Sequence, residues 1–298
     1  MLRRAAPFAA LLVLAAGCGA SAQRARGTLD VVAAENFWGS IAAQLGGDRV
    51  SVTSIVVDPA ADPHSYDPTA KDARAFAGAQ LAIVNGIGYD SWASHLIAAN
   101  PVSGRDTLDA GDLLGLQEGD NPHQWYSPAS VQKLIDAIVA EYDKLRPHDR
   151  AYFATRKRRF ETVSLARYDT LRAGIHRRFA GTPVGYSESI FQPLGRSLGL
   201  RLLTPYSFAK AVAEGTDISA KDKEAVDAQA AQRKIAVWVE NSQNETPDVR
   251  QVTAIARAHH IPVVTVTETL SPASDTFEQW QAAQLARLVH ALHEATGR

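Results

Sequence analysis

Short apolar strands alternate with helical segments in both halves of the chain, and this alternation limits the fold more than any other feature. Strand-like runs rich in apolar and β-branched residues occupy residues 28–34, 50–57, 81–84, 183–186, 234–239 and 262–266. Strands that alternate with helices are typical of a parallel sheet with helices on both faces. The sequence therefore predicts an α/β protein with two similar lobes, at residues 28–147 and 180–298.

The segment between the lobes carries two amphipathic helices and lacks a Gly/Ser linker. The first begins at Ser127, an N-cap residue, with Pro128 at the first helical position. The second covers residues 148–179 and places its apolar side chains on one face, with Arg and Lys mostly on the other. A helix of this length spans roughly 45 Å at about 1.5 Å per residue. We expect a rigid linking spine; the alternative is two shorter helices interrupted at Gly174.

The start of the chain has the pattern of an export signal. Residues 1–17 combine a charged beginning, an apolar run too short to span a bilayer, and a small residue before Cys18. This context is similar to the bacterial lipobox, in which lipid is attached to a cysteine that becomes the new N terminus. We expect removal of residues 1–17, a lipid on Cys18 and a tether over residues 18–27. The alternative is an ordinary signal peptide that contains a cysteine.

Sulfur ligands are almost absent from the chain. Cys18 is the only cysteine and Met1 the only methionine. Disulfides, Cu(I) sites, iron–sulfur clusters and zinc–cysteine sites are therefore excluded from the folded part, and any metal ion must be held by His, Asp or Glu. The formal net charge of −1 argues against a nucleic-acid partner.

Two of the nine histidines differ from the others because each follows a proline in a loop. His64 lies in DPHSYDPT at residues 62–69, and His123 lies in NPHQWYSP at residues 121–128. The preceding proline stiffens the chain, so each imidazole is oriented before an ion arrives. Most of the other histidines lie on predicted helices, where a solvated side chain is the default. The repeated context favours His64 and His123 as metal ligands over two turn histidines.

Three segments, in order along the chain, resemble signatures of the zinc- and manganese-binding solute-binding proteins of ABC importers, the cluster A-I or ZnuA/TroA-like family. They are DPHSYDPT at residues 62–69, NGIGYDSW at residues 85–92 and NPHQW at residues 121–125. The resemblance implies two Rossmann-like lobes joined by one long rigid α-helix, with the metal ion in the interlobe cleft. It also implies a non-enzymatic, monomeric receptor, exported as a periplasmic or cell-surface lipoprotein, that delivers its ion to an ABC permease in the inner membrane.

The same resemblance implies which residues bind the ion. Family members draw two ligands from each lobe, and the pair in the first lobe matches His64 and His123. The third ligand, His or Glu, follows a strand of the second lobe and matches Glu188. The fourth is usually Asp after the last core strand, and Glu268 replaces it here. The expected metal site is therefore His64, His123, Glu188 and Glu268.

The predicted positions and charges of these four residues suit a divalent ion but do not determine which one. Ligands in open α/β sheets bind beyond the carboxyl ends of strands, where His64, Glu188 and Glu268 are predicted. Two neutral imidazoles and two carboxylates would balance the charge of a dication. Two nitrogens and two oxygens suit Zn²⁺, whereas bidentate carboxylates would suit Mn²⁺ or Fe²⁺. Residues 100–121 contain no histidine, so the His-rich loop of many zinc-binding members is missing.

Two other functions remain compatible with the sequence. A periplasmic metalloenzyme, such as a hydrolase, would need an open coordination position and a general base. No HExxH, GxSxG or phosphate-loop pattern occurs in the sequence. A surface adhesin would retain the fold without depending on metal binding at His64 and His123.

Overall fold

The structure of the protein, a computed structural model, describes residues 27–60 and 63–298. The predicted signal segment, Cys18 and the tether up to residue 26 lie outside the described residues. The described residues form two sheets of four strands each. None of the helices among the described residues is long and apolar enough to cross a bilayer.

The first lobe is built on a parallel sheet with the strand order β2-β1-β3-β4. Its strands are β1 (Leu29–Glu35), β2 (Val50–Val56), β3 (Leu81–Val84) and β4 (Asp106–Asp109). Its helices are α1 (Asn36–Gly46), α2 (Ala70–Gly78), α3 (Ser91–Ala99), α4 (Ala110–Leu114) and α5 (Pro128–Leu145). The two central strands, β1 and β3, are buried along almost their whole length, which accounts for their nearly continuous apolar sequence.

The connection between the lobes is a helical spine at residues 150–179. It consists of α6 (Arg150–Arg159), a π-helical turn (Phe160–Ser164) and α7 (Ala166–Phe179). The spine passes through Gly174 without a break, so the alternative of two helices interrupted there is not what the structure shows. The π turn instead closes a hydrogen bond of 2.9 Å from the Leu165 N–H to the Phe160 carbonyl oxygen. Because these residues are five apart, the turn buries both side chains on one face.

The second lobe repeats the topology of the first with the strand order β6-β5-β7-β8, again all parallel. Its strands are β5 (Pro183–Tyr186), β6 (Arg201–Leu202), β7 (Val237–Asn241) and β8 (Val263–Val266). Its helices are α8 (Phe191–Ser197), α9 (Tyr206–Ala213), α10 (Ala220–Ala231), α11 (Pro247–Ala258) and α12 (Phe277–Thr296).

One apolar cluster runs continuously through both lobes and the spine. Phe37 and Trp125 of the first lobe stack at 3.9 Å, and Tyr168 of the spine meets Phe277 of the second lobe at 6.5 Å, measured between ring centroids. Opening the lobes widely would expose this apolar surface to water, at a cost of about 25 cal/mol per Å². The fold therefore holds the carboxyl ends of the two sheets close to each other.

Candidate metal centre

The four side chains expected to bind metal come together where the two lobes meet. One ligand atom from each of His64, His123 and Glu268 can be chosen so that the three lie within 4.8 Å of one another. Glu188 joins them through His123, since its Oε1 atom lies 3.3 Å from His123 Nε2. The structure thus brings His64, His123 and Glu268 together as one group, and Glu188 contacts this group through His123.

His64 is presented by a single 3₁₀ turn, Pro63–Ser65, which follows β2. The indole N–H of Trp92, on α3, donates a hydrogen bond of 3.2 Å to the Pro63 carbonyl oxygen and so fixes this turn. The His64 side chain is exposed, and its ring lies 4.4 Å from that of Tyr89 and 6.0 Å from that of His123. His64 is therefore the candidate ligand that borders solvent.

His123 is fully buried, and its hydrogen bonds define its tautomer. The Asn121 side chain donates through Nδ2 to the Ser189 carbonyl oxygen at 2.9 Å, which orients its Oδ1 atom as an acceptor. That oxygen lies 2.9 Å from His123 Nδ1, so Nδ1 carries the proton. The lone pair of Nε2 consequently points toward Glu188 Oε1 at 3.3 Å and Glu268 Oε2 at 3.5 Å.

The spacing around His123 matches the dimensions of a tetrahedral metal site. With metal–ligand bonds of about 2.1 Å, the ligand atoms of a tetrahedron lie about 3.4 Å apart. The two distances from His123 Nε2 to the carboxylate oxygens, 3.3 and 3.5 Å, lie on either side of that value. The separation of His123 Nε2 from each of the two carboxylate oxygens therefore suits an ion bound between His123 and that glutamate.

Glu188 follows β5 and Glu268 follows β8. Asn241, at the end of β7, lies between the two carboxylates in space. The Asn241 Nδ2 group donates to Glu188 Oε2 and, at 2.8 Å, to Glu268 Oε1. Its Oδ1 atom accepts from the Gln243 N–H at 3.0 Å, which fixes the orientation of the amide. Asn241 thus holds one oxygen of each carboxylate and leaves the other oxygen directed at His123.

The segment at residues 85–92 contacts the surroundings of three of the four candidate ligands. Asn85 donates to the Pro122 carbonyl oxygen, next to His123, at 3.0 Å. Tyr89 donates its hydroxyl proton to Glu268 Oε2 at 3.0 Å, and Trp92 reaches the turn that carries His64 as described above. One loop of the first lobe therefore positions ligands in both lobes.

The electrostatics of the site favour a cation. Burial, and then the charge of His64, lower the pKa of His123 well below its usual value, so the imidazole is neutral and able to bind metal. Burial, and then the Glu268 carboxylate, raise the pKa of Tyr89 well above its usual value, so the phenol keeps its proton and acts as a donor. Two carboxylates, Glu188 and Glu268, are buried beside this neutral imidazole, and a buried charge is stable when it is paired or bound to metal.

Two cavities give access to the site, and His64 lines both. The larger has a volume of about 390 Å³ and also borders Tyr89, Ser189 and Lys210. The second, of about 370 Å³, also borders Glu268. The exposed imidazole of His64 is thus the first candidate ligand that an entering ion meets.

The four candidate ligands remain those predicted from the sequence, whereas the supporting residues Asn121, Ser189 and Asn241 were not predicted. Asn121 and Ser189 lie within two residues of a candidate ligand, and this proximity was the available signal for them. For Asn241 the available signal was its position at the end of a strand. Of the remaining histidines, His293 lies 3.0 Å from an Arg178 guanidinium nitrogen, which agrees with a structural role.

Comparison with protein families and curated sequences gives consistent matches. The model of the family described as "Zinc-uptake complex component A periplasmic", or ZnuA, matches residues 31–291. The manganese-binding lipoprotein MntA of Halalkalibacterium halodurans is 31% identical over 137 residues, 43% of this chain and 44% of that protein. The zinc uptake protein ZnuA of Bacillus subtilis is 24% identical over 169 residues, 49% of this chain and 53% of that protein. The chain therefore spans about half the length of these curated relatives.

Solved structures show the same fold. The Mn-bound periplasmic metal binding protein from Candidatus Liberibacter asiaticus superposes with a TM-score of 0.72 at 21% identity, covering 88% of this chain and 98% of that one. The protein FpvC from Pseudomonas aeruginosa, in complex with Mn²⁺, gives a TM-score of 0.70 at 20% identity, covering 90% and 99%. The expected two-lobed α/β architecture is thereby confirmed.

Proposed function

The chain belongs to the ZnuA family of periplasmic zinc-uptake components, as its sequence motifs indicated, and from this membership we propose that it captures one divalent transition-metal ion outside the cytoplasm. It holds the ion in the interlobe cleft and delivers it to the permease of an ABC importer. Names of relatives support the class of cargo, since they include manganese-binding, zinc-binding and iron-binding proteins.

The proposed ligands are His64, His123, Glu188 and Glu268. The observation that carries this assignment is the buried His123 Nε2 atom, which faces one oxygen of each glutamate at the separation expected for a tetrahedral site. Replacing Asp by Glu at the fourth position is accommodated because Asn241 and Tyr89 both bind the longer side chain.

The arrangement favours Zn²⁺ over Mn²⁺ as the tighter ligand. Asn241 donates to Glu188 Oε2 and Glu268 Oε1, so the oxygens that face His123 Nε2 are Glu188 Oε1 and Glu268 Oε2, the second of which also accepts a hydrogen bond from Tyr89. Two such oxygens and two imidazoles give four ligands, the number that Zn²⁺ prefers, whereas Mn²⁺ prefers more oxygen ligands. The usual affinity order of divalent metals acts in the same direction.

We also propose that the protein is not an enzyme and that it is anchored as a lipoprotein through Cys18. Four protein ligands fill the coordination shell of zinc and leave no position for a catalytic water. Several of the relatives are named lipoproteins, which supports a lipid on Cys18 and an extracytoplasmic location. We expect a monomer.

Metal uptake in cells tests this function. In a bacterial strain that lacks the gene for this protein, expression of the wild-type protein should restore accumulation of radioactive Zn²⁺ or Mn²⁺. Expression of the His123→Ala or Glu188→Ala variant should not. The matched control is Glu214→Ala, a carboxylate that lines both cavities but is not a proposed ligand. Full restoration by the His123 and Glu188 variants would contradict the proposal, as would hydrolytic turnover of ester or phosphate substrates by the purified, metal-loaded protein.

A further inference from the structure

The spine carries a charge unlike that of the rest of the chain. Residues 150–179 contain nine Arg and Lys residues but two Asp and Glu residues, whereas the whole chain has a formal net charge of −1. Beyond its first two turns, the spine has five exposed arginines, which we call the arginine face: Arg158, Arg159, Arg167, Arg177 and Arg178. The apolar side chains of the spine point the other way, into the core.

The arginine face is not neutralised by neighbouring acids. Glu161 lies 3.8 Å from Lys157, and Asp169 lies 2.9 Å from Arg172, so both acidic residues of the spine are paired with other cations. Among residues 27–60 and 63–298, no carboxylate forms an ion pair with any guanidinium of the arginine face. The Arg178 guanidinium contacts His293 Nε2 at 3.0 Å and lies over the Phe179 ring, so the outward positive charge is carried mainly by the other four arginines.

The helix itself explains only part of this pattern. Basic residues near a helix C terminus interact favourably with the helix dipole, which accounts for Arg177 and Arg178. Arg159 and Arg167 lie two or more turns from the end of α7, where that effect has faded. Between them lies Val163, whose side chain is 64% exposed and the most exposed large apolar side chain described. At a membrane surface, an apolar side chain in this position could contact the boundary between headgroups and acyl chains.

The position of the spine agrees with such a surface. Gly27, the first described residue, accepts a hydrogen bond through its carbonyl oxygen from Arg146, four residues before the spine begins. Gly27 lies nine positions after Cys18, the proposed lipid attachment site, and a chain of that length can reach at most about 30 Å. The membrane anchor is therefore expected close to one end of the spine.

We propose that the arginine face of the spine binds the anionic phospholipid headgroups of the membrane to which the protein is tethered, so that the receptor lies lengthwise on the bilayer. Guanidinium groups suit this partner because their planar donors match phosphate oxygens in pairs. The interaction does not involve the metal site. Each basic residue near an anionic surface contributes about fivefold to binding, and screening by salt weakens it.

Vesicle partitioning of the full chain tests this proposal. The probe is a set of vesicles made of phosphatidylcholine alone or with about one-third phosphatidylglycerol, and the readout is the ratio of the two partition coefficients at low and high salt. The test variant replaces Arg159, Arg167 and Arg177 with Gln. The matched control replaces three exposed arginines outside the spine, Arg74, Arg201 and Arg257, with Gln.

The spine variant should lose roughly hundredfold of the preference for anionic vesicles at low salt, whereas the control should remain within about fivefold of wild type. Replacing the same three spine arginines with Lys should retain most of the preference. Zinc binding should be unchanged in all variants, which separates this proposal from the proposed receptor function and shows that the variants fold. Equal preference in the spine variant and the control, whether both retain it or both lose it, would overturn the proposal, as would binding to RNA or to another protein without vesicle binding.

Discussion

Replacement of Asn241 with Leu should weaken zinc binding and change metal preference. The Asn241 amide donates to one oxygen of each buried glutamate, and Leu has a similar branched shape but no donor. A hydrogen bond to a charged group contributes about 1.5–3 kcal/mol to stability. The Leu variant loses two such bonds, so neither carboxylate is held in place before the ion binds. Outer contacts of this kind typically change metal affinity by about 10–100-fold, and we expect a loss of zinc affinity in that range.

The loss should be smaller for Mn²⁺ than for Zn²⁺. Removing the amide frees Glu188 Oε2 and Glu268 Oε1 to bind the ion, which supplies the extra oxygen ligands that Mn²⁺ accepts. The assay is competition of metal-stripped protein against a fluorescent chelator, with each metal in turn. Asn244→Leu is the control, because that amide donates to the Val212 carbonyl oxygen rather than to a glutamate. Unchanged affinity, or an equal loss for both metals, would refute the reasoning that Asn241 limits each carboxylate to one oxygen.

Three further perturbations have defined outcomes. Burial, and then the Asp90 carboxylate, raise the pKa of Glu35 well above its usual value, so the stability linked to its proton is lost as the pH rises through that pKa. Glu35→Gln should therefore be at least as stable as wild type at pH 8, with a weaker pH dependence in urea denaturation. Tyr89→Phe removes the donor to Glu268 and should lower zinc affinity about tenfold in the chelator assay; unchanged affinity would contradict its positioning role. Phe153→Ala should lower the free energy of unfolding by about 3–5 kcal/mol, because this fully buried ring anchors the spine to α5, and a loss below 1 kcal/mol would contradict that.

The fold was largely predictable from sequence where strands are buried on both faces. Central strands such as β1 and β3 are continuous apolar runs, and these were identified. The two strands that were missed, β4 and β6, each lie at an edge of a sheet. In β4 a single side chain, Leu108, is buried, and β6 has two residues, neither of them fully buried. Edge strands this short and this exposed leave no apolar pattern to detect.

The site was predictable where local sequence alone positions a side chain. The prolines before His64 and His123 fix each loop, and the resemblance to a known family located Glu188 and Glu268. The role of Asn241 could not be found in this way, because it depends on the strand order that places β7 between β5 and β8. The π turn in the spine was hidden for a related reason. Phe160 and Leu165 are five residues apart, which does not fit the period of an α-helix. A π turn at this spacing is explained by the core that both side chains enter, and that core is not visible in the local sequence.

The most direct test of the proposed metal centre is a competition titration of metal-stripped protein with Zn²⁺ and Mn²⁺, comparing wild type with single Ala variants of the four proposed ligands. Wild-type protein should bind one ion. Each variant, His64→Ala, His123→Ala, Glu188→Ala and Glu268→Ala, should lose more than about hundredfold in affinity, the upper limit of the loss for outer contacts. Glu214→Ala should remain close to wild type. Wild-type affinity in a protein that lacks both His64 and His123 would contradict the account.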